Sequence, residues 1–132
     1  MVTRDDLESF LIRMDLDYEE VDEGMFLVQP PDDGPPAIIH HSPPLLLVRL
    51  KVTDLPEGND LGDLYRALLV FNATDIVHGA YGIEGDELIL ADTLQLATLD
   101  FPELQASLES LQMAASAHLA EIRSLAGIGK EE

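Results

Sequence analysis

The sequence contains no cysteine, no tryptophan and few basic residues. Without cysteine, the chain forms no disulfide, offers no thiolate to a metal and has no cysteine nucleophile. Aromatic residues make up only 5% of the chain, so aliphatic residues and alanine must form most of the core. Such a core is feasible because 46% of the 132 residues are hydrophobic, and a chain of this length buries roughly two-thirds of its unfolded surface. We therefore expect a single domain over residues 1–132, with a frayed tail at residues 130–132.

Basic residues are outnumbered, with 7 Lys and Arg against 26 Asp and Glu, and the formal net charge is −19. This charge repels nucleic acid phosphates and anionic lipids, and it favours a basic or amphipathic polypeptide as partner. A role in solubility alone explains the acidity equally well. The longest apolar run, Leu45–Val48, is far shorter than the ~20 residues of a membrane span, and Met1–Asp6 does not resemble a signal peptide. The sequence therefore predicts a cytoplasmic protein that binds neither membranes nor nucleic acid.

Helical patterns occur near both ends of the chain. Thr3 and Asp6 are spaced like a capping box, and the apolar residues that follow recur at helical spacing. Asp100 and Glu103 form a second start of this kind. The helix that follows has apolar residues at alternating steps of three and four, interrupted by one small and one polar residue: Phe101, Leu104, Leu108, Leu111, Ala115, His118, Ile122 and Leu125.

A third helix is predicted in the middle of the chain, from Leu61 to Phe71, with Asn59 or Asp60 as its cap. Its apolar face is wide, because apolar residues are consecutive at 68–71. We therefore expect burial on two sides, against a sheet and against either another helix or a second subunit.

Strand patterns fill the segments between the helices. They are predicted at Tyr18–Asp22, Met25–Gln29, Leu45–Val52, Val77–Ile83 and Glu87–Ala91, with Ala37–His41 as a shorter candidate. The acidic first strand suits a sheet edge, and the prolines on both sides of Ala37–His41 indicate an exposed edge or a flap. The predicted fold class is α+β, a twisted antiparallel sheet flanked by helices, in the order helix, three strands, helix, two strands, helix.

The histidines are the main candidates for chemistry. His40 and His41 are neighbours on a strand, so their side chains point to opposite faces, and with Asp33 they match no zinc spacing. His78 has no Ser, Lys or Asp at a recognisable motif spacing, so a structural hydrogen bond is the expected role. His118 lies in the helical seam, where it sets the packing register or forms a pH-sensitive contact.

The spacing of the acidic residues and glycines gives no support for an enzymatic function. None of the acidic runs has the spacing of a calcium-binding loop, and Gly79–Gly82 is neither a P-loop nor a dinucleotide fingerprint. The sequence therefore predicts no catalytic residue, no metal and no cofactor.

The run from Leu68 to Leu90 resembles a known family. It consists of LLVFNATDIVHGAYGI followed, after one residue, by GDELIL, and it is similar to bacterial YbjN-like proteins, which are related in fold to type III secretion chaperones of the Tir-chaperone (CesT) type. In that family a helix ending in Leu-x-x-x-Asn leads to a strand of small residues and a Gly-acidic hairpin; Leu68 and Asn72 occupy those positions. The resemblance covers essentially the whole chain. It implies an α+β domain, often dimeric, that holds a polypeptide segment without performing chemistry.

From this resemblance we expect a non-enzymatic, chaperone-like protein that acts as a homodimer and binds a polypeptide client. The candidates for the client or dimer surface are Leu45, Leu47, Val70, Phe71 and Tyr81, each of which can equally belong to an ordinary core. Two alternatives stay open. One is a structural or regulatory dimerisation domain without a client, and the other is a metal-dependent enzyme that uses His40, His41 and Asp33.

Overall fold

The computed structural model describes residues 1–32, 34–58 and 60–128. In that part of the chain the elements are α1 (Arg4–Arg13), β1 (Asp17–Asp22), β2 (Met25–Gln29), β3 (Ala37–Ser42), β4 (Leu45–Asp54), α2 (Gly62–Thr74), β5 (Ala80–Glu84), β6 (Glu87–Gln95) and α3 (Phe101–Ala126). The described strands form one antiparallel sheet in the order β1-β2-β3-β4-β6-β5. The predicted α+β class is confirmed, and the short candidate strand is a full member of the sheet. The predicted tail at residues 130–132 lies outside the described residues.

The N-termini of α1 and α3 are capped by side chains, as the sequence predicts. The Asp6 N–H donates to Thr3 Oγ1 at 3.1 Å, and the Thr3 N–H donates to Asp6 Oδ2 at 3.0 Å, which completes a capping box. In α3 the Glu103 N–H donates to Asp100 Oδ1 at 2.8 Å. Gly127, with a φ of 77°, ends that helix in the left-handed conformation that glycine adopts easily.

The start of α2 differs from the prediction. Its N-cap is Leu61, which provides no side-chain hydrogen bond. Asp60 lies one residue earlier and accepts the Gly62 N–H at 2.9 Å. The other predicted cap, Asn59, lies outside the described residues.

One face of the sheet forms the core with the helices. Alternate strand residues point into this core because successive side chains of a strand lie on opposite faces. The buried strand residues include Phe26, Val28, Ile39, Leu46, Val48, Leu50, Leu88 and Leu90, and the buried residues of α3 include the predicted seam members Leu104, Leu108, Leu111, Ala115, His118 and Ile122. Each aliphatic side chain buried in this way contributes roughly 1.5–3 kcal/mol.

The prolines lie in the connections on both sides of β3 and not in its ladder. Pro43 and Pro44 form the turn between β3 and β4, and the other proline cluster lies in the loop after β2. β3 itself is internal, since Ala37 lies opposite both Val28 of β2 and Leu50 of β4. The expectation of an exposed edge or flap is therefore wrong. A proline in a connection removes no ladder hydrogen bond. Prolines beside a strand therefore do not show whether that strand lies at the edge or inside the sheet.

The last hairpin is shifted along the chain relative to the prediction. β5 begins at Ala80 because Gly79 turns the chain with a φ of 81°. A Cβ at Gly79 would lie 2.4 Å from the carbonyl oxygen of Ala91, so only glycine fits there. β6 continues beyond its predicted end at Ala91, because β4 is long enough to pair with it up to Gln95.

Candidate functional site

Large hydrophobic side chains are exposed mainly around α2 and β5. Among the described residues, five of the nine exposed large hydrophobic side chains lie on α2, on β5 or on the loop that joins them: Tyr65, Leu69, Val70, Val77 and Ile83. Their exposed fractions range from 41% for Tyr65 to 79% for Val77. Single exposed hydrophobic residues are normal, but a cluster marks a site of interaction. We call these five residues the α2–β5 surface.

A groove runs between α2 and the outer edge of β5. It has a volume of about 230 Å³ and is lined by three residues of the α2–β5 surface, Tyr65, Leu69 and Ile83. Its other lining residues are Leu68, Asn72, Tyr81, Gly82 and Leu88. β5 is the last strand of the sheet and pairs only with β6 in the described structure, so its outer backbone groups face this groove.

A side-chain amide occupies part of that edge. The Tyr81 N–H donates to Asn72 Oδ1 at 2.8 Å, and Asn72 Nδ2 donates to the Tyr81 carbonyl oxygen at 3.4 Å. In an antiparallel ladder, the paired backbone groups of alternate residues point to opposite sides of the strand. The N–H and C=O of Tyr81 therefore point away from β6, and the Asn72 amide satisfies both.

A polar cluster lies behind the groove; its Tyr81 and His118 are buried, and its Asp75 is exposed. The Tyr81 hydroxyl lies 2.7 Å from His118 Nδ1, and His118 Nε2 lies 3.1 Å from Asp75 Oδ2. The Phe71 ring stacks on the imidazole, with 3.8 Å between ring centroids and 3° between planes. A carboxylate only accepts hydrogen bonds, so His118 Nε2 carries a proton, and in the neutral imidazole Nδ1 accepts the Tyr81 O–H. We call these four residues the His118 cluster; it joins α2, β5 and α3.

The protonation states in the cluster follow from burial and hydrogen bonding. Burial raises the pKa of Tyr81 well above its ordinary value, and the nearby Asp75 carboxylate raises it further. The hydrogen bond from His118 lowers the pKa of Asp75, and a hydrogen bond from Thr74 lowers it further. At neutral pH Tyr81 is therefore a donor and Asp75 an acceptor. His118 is buried and packs against Phe71, and both its role in the packing register and a pH-sensitive role stay predictions.

The second apolar surface is the face of the sheet opposite the core. A groove of about 490 Å³ lies there, lined by strand residues and Pro36. We call it the open-face groove; its apolar lining is Met25, Leu27, Pro36, Ile38, Leu47 and Ile89. Arg49, Lys51, Glu84 and Glu87 also line the groove, and each cation is paired: Arg49 with Glu84, and Lys51 with Asp54 Oδ1 at 2.9 Å and Glu87 Oε2 at 3.4 Å. The two cations and two carboxylates that line the groove therefore balance, and the rest of its lining is apolar apart from His40.

The five candidate residues fall on two separate surfaces. Leu45 and Leu47 are half-buried on the open face of β4. Val70 belongs to the α2–β5 surface, while the rings of Phe71 and Tyr81 lie behind it in the His118 cluster. The backbone of Tyr81 forms part of the β5 edge. A role in client binding or dimerisation stays a prediction for all five residues.

Tyr65, Leu69, Asn72 and Ile83 were not among the five residues predicted for the client or dimer surface, although the wide apolar face predicted at 68–71 includes Leu69. Tyr65 and Leu69 are four residues apart, so they form a second apolar stripe beside the buried pair Leu64 and Leu68. This second stripe is the signal that could have identified the surface.

The remaining histidines lie apart from one another. His40 lines the open-face groove, whereas His41 Nε2 lies 2.9 Å from the Val2 carbonyl oxygen. The prediction that the two rings point to opposite faces is confirmed. His78 is half-buried in the loop before β5. Across residues 1–32, 34–58 and 60–128, no three His, Asp or Glu side chains are placed to hold a metal ion, and Asp33 lies outside the described residues.

The described helices are also too short or too polar to cross a membrane.

The sequence matches the family model CesT_Tir_1 over residues 2–127. The chain belongs to the CesT_Tir_1 family. No curated protein matches this family member in sequence. The predicted resemblance to YbjN-like proteins and type III secretion chaperones is confirmed by the family match and by solved structures.

Three solved structures illustrate the shared fold. One is the heterodimeric ExoU–SpcU complex from the type III secretion system of Pseudomonas aeruginosa, with a TM-score of 0.70, 17% identity, and coverage of 86% of this chain and 95% of that chain. The second is YbjN from E. coli, with a TM-score of 0.67, 17% identity and coverage of 90% and 92%. The third is the Yersinia pestis type III secretion chaperone SycH in complex with a fragment of YscM2, with a TM-score of 0.61, 20% identity and coverage of 84% and 94%.

Proposed function

We propose that this CesT_Tir_1 family member is a chaperone-like protein that binds polypeptides and performs no chemistry on them. The observation that carries the proposal is the exposure of two apolar surfaces by a chain of net charge −19. Apolar patches surrounded by polar residues are typical of sites that bind another protein. The ExoU–SpcU and SycH–YscM2 structures support the proposal, because each combines this fold with a second polypeptide.

We assign the α2–β5 surface to a second copy of the chain. Two copies of net charge −19 repel each other, so their contact requires a patch in which uncharged side chains dominate. The α2–β5 surface is such a patch, since its five members are aliphatic or tyrosine. A two-fold axis would bring the same patch of both copies together, which is the commonest arrangement of homodimers.

We assign the open-face groove to the client. The groove is lined by residues of five strands, β2 to β6, and its half-buried aliphatic side chains offer contact without a charge of their own. An amphipathic segment fits such a groove through its apolar side chains. The surrounding acidic surface favours a segment that also carries basic residues. A cytoplasmic location is part of the proposal.

Site-specific photo-crosslinking tests the client assignment. A benzoylphenylalanine is placed at Leu47 in the open-face groove and, as the matched control, at Ile12, an exposed hydrophobic residue of α1. We expect a polypeptide that crosslinks in the native host at Leu47 and not at Ile12. The captured segment is then synthesised, and it should bind the purified wild-type chain but not the Leu47→Glu variant. Equal crosslinking at both positions, or a synthetic segment that does not bind, would contradict the proposal.

The same experiment distinguishes a dimerisation domain without a client. Such a domain would crosslink only to itself, through a benzoylphenylalanine at Leu69 on the α2–β5 surface, and position 47 would capture nothing.

A further inference from the structure

The two edges of the sheet differ in how they resist the addition of another strand. An edge strand offers unpaired N–H and C=O groups to any extended chain, and proteins commonly protect such edges with charged side chains. β1 carries this protection, since four of its six residues are Asp or Glu. β5 has one charged residue, Glu84, which is already paired with Arg49. Charge therefore protects β1 and leaves β5 without the same protection.

Asn72 is the residue that contacts the backbone of the β5 edge, which has no protection by charge. Its side-chain Oδ1 and Nδ2 bond the N–H and C=O of Tyr81, at 2.8 and 3.4 Å. These are the two groups with which an added strand would have to pair at that residue. We propose that Asn72 guards the β5 edge: its amide occupies the ladder position beside Tyr81 and so prevents another strand from extending the sheet.

The packing of α2 holds the amide in this position. Leu68, one helical turn before Asn72, is only 5% exposed and fixes this side of the helix against the core. Phe71, the preceding residue, stacks on His118. Asp75, just after the helix, accepts a hydrogen bond from the same imidazole. The last turn of α2 is thus held on both sides of Asn72.

With Tyr81 bonded to Asn72, few backbone groups of the β5 edge remain available to pair with another strand. Because alternate residues point outward, Ile83 is the next residue of β5 whose backbone faces away from β6. One residue is too short for a strand, since strands in globular proteins have at least about three residues. Partners of the α2–β5 surface must therefore make contact through side chains. This inference is independent of the proposed function, because it holds whether or not the surface binds a client or a second copy.

The test replaces Asn72 with leucine, which has a similar size and makes no hydrogen bond. Sedimentation velocity gives the masses of the wild type and of Asn72→Leu over the same concentration range. The mass of the variant is compared with that of the wild type, whether the wild type is a monomer or a dimer. We expect Asn72→Leu to form larger species that bind thioflavin T. At high dilution, we also expect the Tyr81 amide of the variant to exchange its hydrogen about five- to tenfold faster, because it has lost its acceptor.

A second variant separates edge exposure from simple loss of stability. Ile83→Lys places a charge on the open part of β5, where lysine discourages strand pairing. The double variant Asn72→Leu, Ile83→Lys should return to the mass of the Ile83→Lys single variant. If Asn72→Leu keeps the wild-type mass, or if the double variant associates as strongly as Asn72→Leu alone, the guard role of Asn72 is wrong.

Discussion

The imidazole of His118 stacks on the ring of Phe71 with 3.8 Å between centroids and 3° between planes. Through this contact α3 supports the end of α2, and the hydrogen bonds of His118 to Tyr81 and Asp75 fix the start of β5 and the C-cap of α2. The α2–β5 surface lies in front of this arrangement. Its shape therefore depends on the polar His118 cluster and not on aliphatic packing alone.

Removal of the Tyr81 hydroxyl tests the His118 cluster. We expect Tyr81→Phe to lower the free energy of unfolding by about 1–3 kcal/mol, because the buried His118 Nδ1 loses its donor. Urea denaturation measures the change. Tyr65→Phe is the matched control, since Tyr65 is exposed and should change stability by less than about 0.5 kcal/mol. Equal stability of the two variants would show that the Tyr81–His118 bond does not support the fold.

The pH dependence of stability tests the Asp75–His118 bond. The pKa of Asp75 is lowered in the folded chain, so its carboxylate stabilises the fold above its unfolded pKa of about 3.9, and the effect is lost as the pH falls through the lower folded pKa. Wild type should exceed Asp75→Asn in stability at about pH 5, where the Asp75 carboxylate is ionised in both the folded and the unfolded chain. The gap should then narrow toward about pH 3.

Urea denaturation at each pH gives this gap. Glu121→Gln, at an exposed position of α3, is the control, because no described hydrogen bond links its carboxylate to the cluster. A gap for Asp75→Asn that stays constant down to about pH 3 would contradict the assigned bond.

The two glycines near the start of β5 should respond differently to alanine. Gly79 has a φ of 81°, and a Cβ there would meet the Ala91 carbonyl oxygen at 2.4 Å, so Gly79→Ala should destabilise the fold by about 2 kcal/mol or more. A Cβ at Gly82 would meet nothing within 4 Å. Gly82→Ala should therefore be neutral to within about 0.5 kcal/mol. Thermal unfolding compares the two, and equal losses would show that β5 does not begin as described.

The proposed second copy is tested on the α2–β5 surface. Leu69 is 69% exposed on α2, and Ile12 is 60% exposed on α1, so glutamate at either position adds one charge at a solvent-facing site. Multi-angle light scattering should give a dimer mass for wild type and Ile12→Glu and a monomer mass for Leu69→Glu. The reason is the cost of burying an unpaired carboxylate in an interface. A wild-type monomer at every concentration, or an unchanged mass for Leu69→Glu, would contradict the assignment.

Local signals in the sequence predicted much of the fold. The caps at Thr3 and Asp100 involve residues only a few positions apart, so their spacing is visible in the sequence. The α3 seam was predictable because its apolar residues recur at helical spacing. The limits of β5 and β6 were not predictable in this way. They depend on pairing with β4 and on the contact between Gly79 and Ala91, residues that are distant along the chain.

The candidate site was harder to predict from the sequence. A pattern of apolar residues on α2 indicates which side chains avoid water, but it does not distinguish Leu68, which is buried, from Leu69, which is exposed. The bonds between Asn72 and Tyr81 span nine residues and depend on the angle between α2 and β5. The resemblance placed Asn72 in a family pattern without indicating its physical role.

The most direct test of polypeptide binding is a calorimetric titration of the segment captured at position 47, as a synthetic peptide, into three proteins. These are the wild-type chain, Leu47→Glu and Ile12→Glu. If the open-face groove holds the client, the wild type and Ile12→Glu bind the peptide with the same affinity, and Leu47→Glu loses at least about tenfold, which corresponds to ~1.4 kcal/mol. Equal affinity for all three proteins would place the peptide elsewhere, and no binding to the wild type would contradict a polypeptide-binding function.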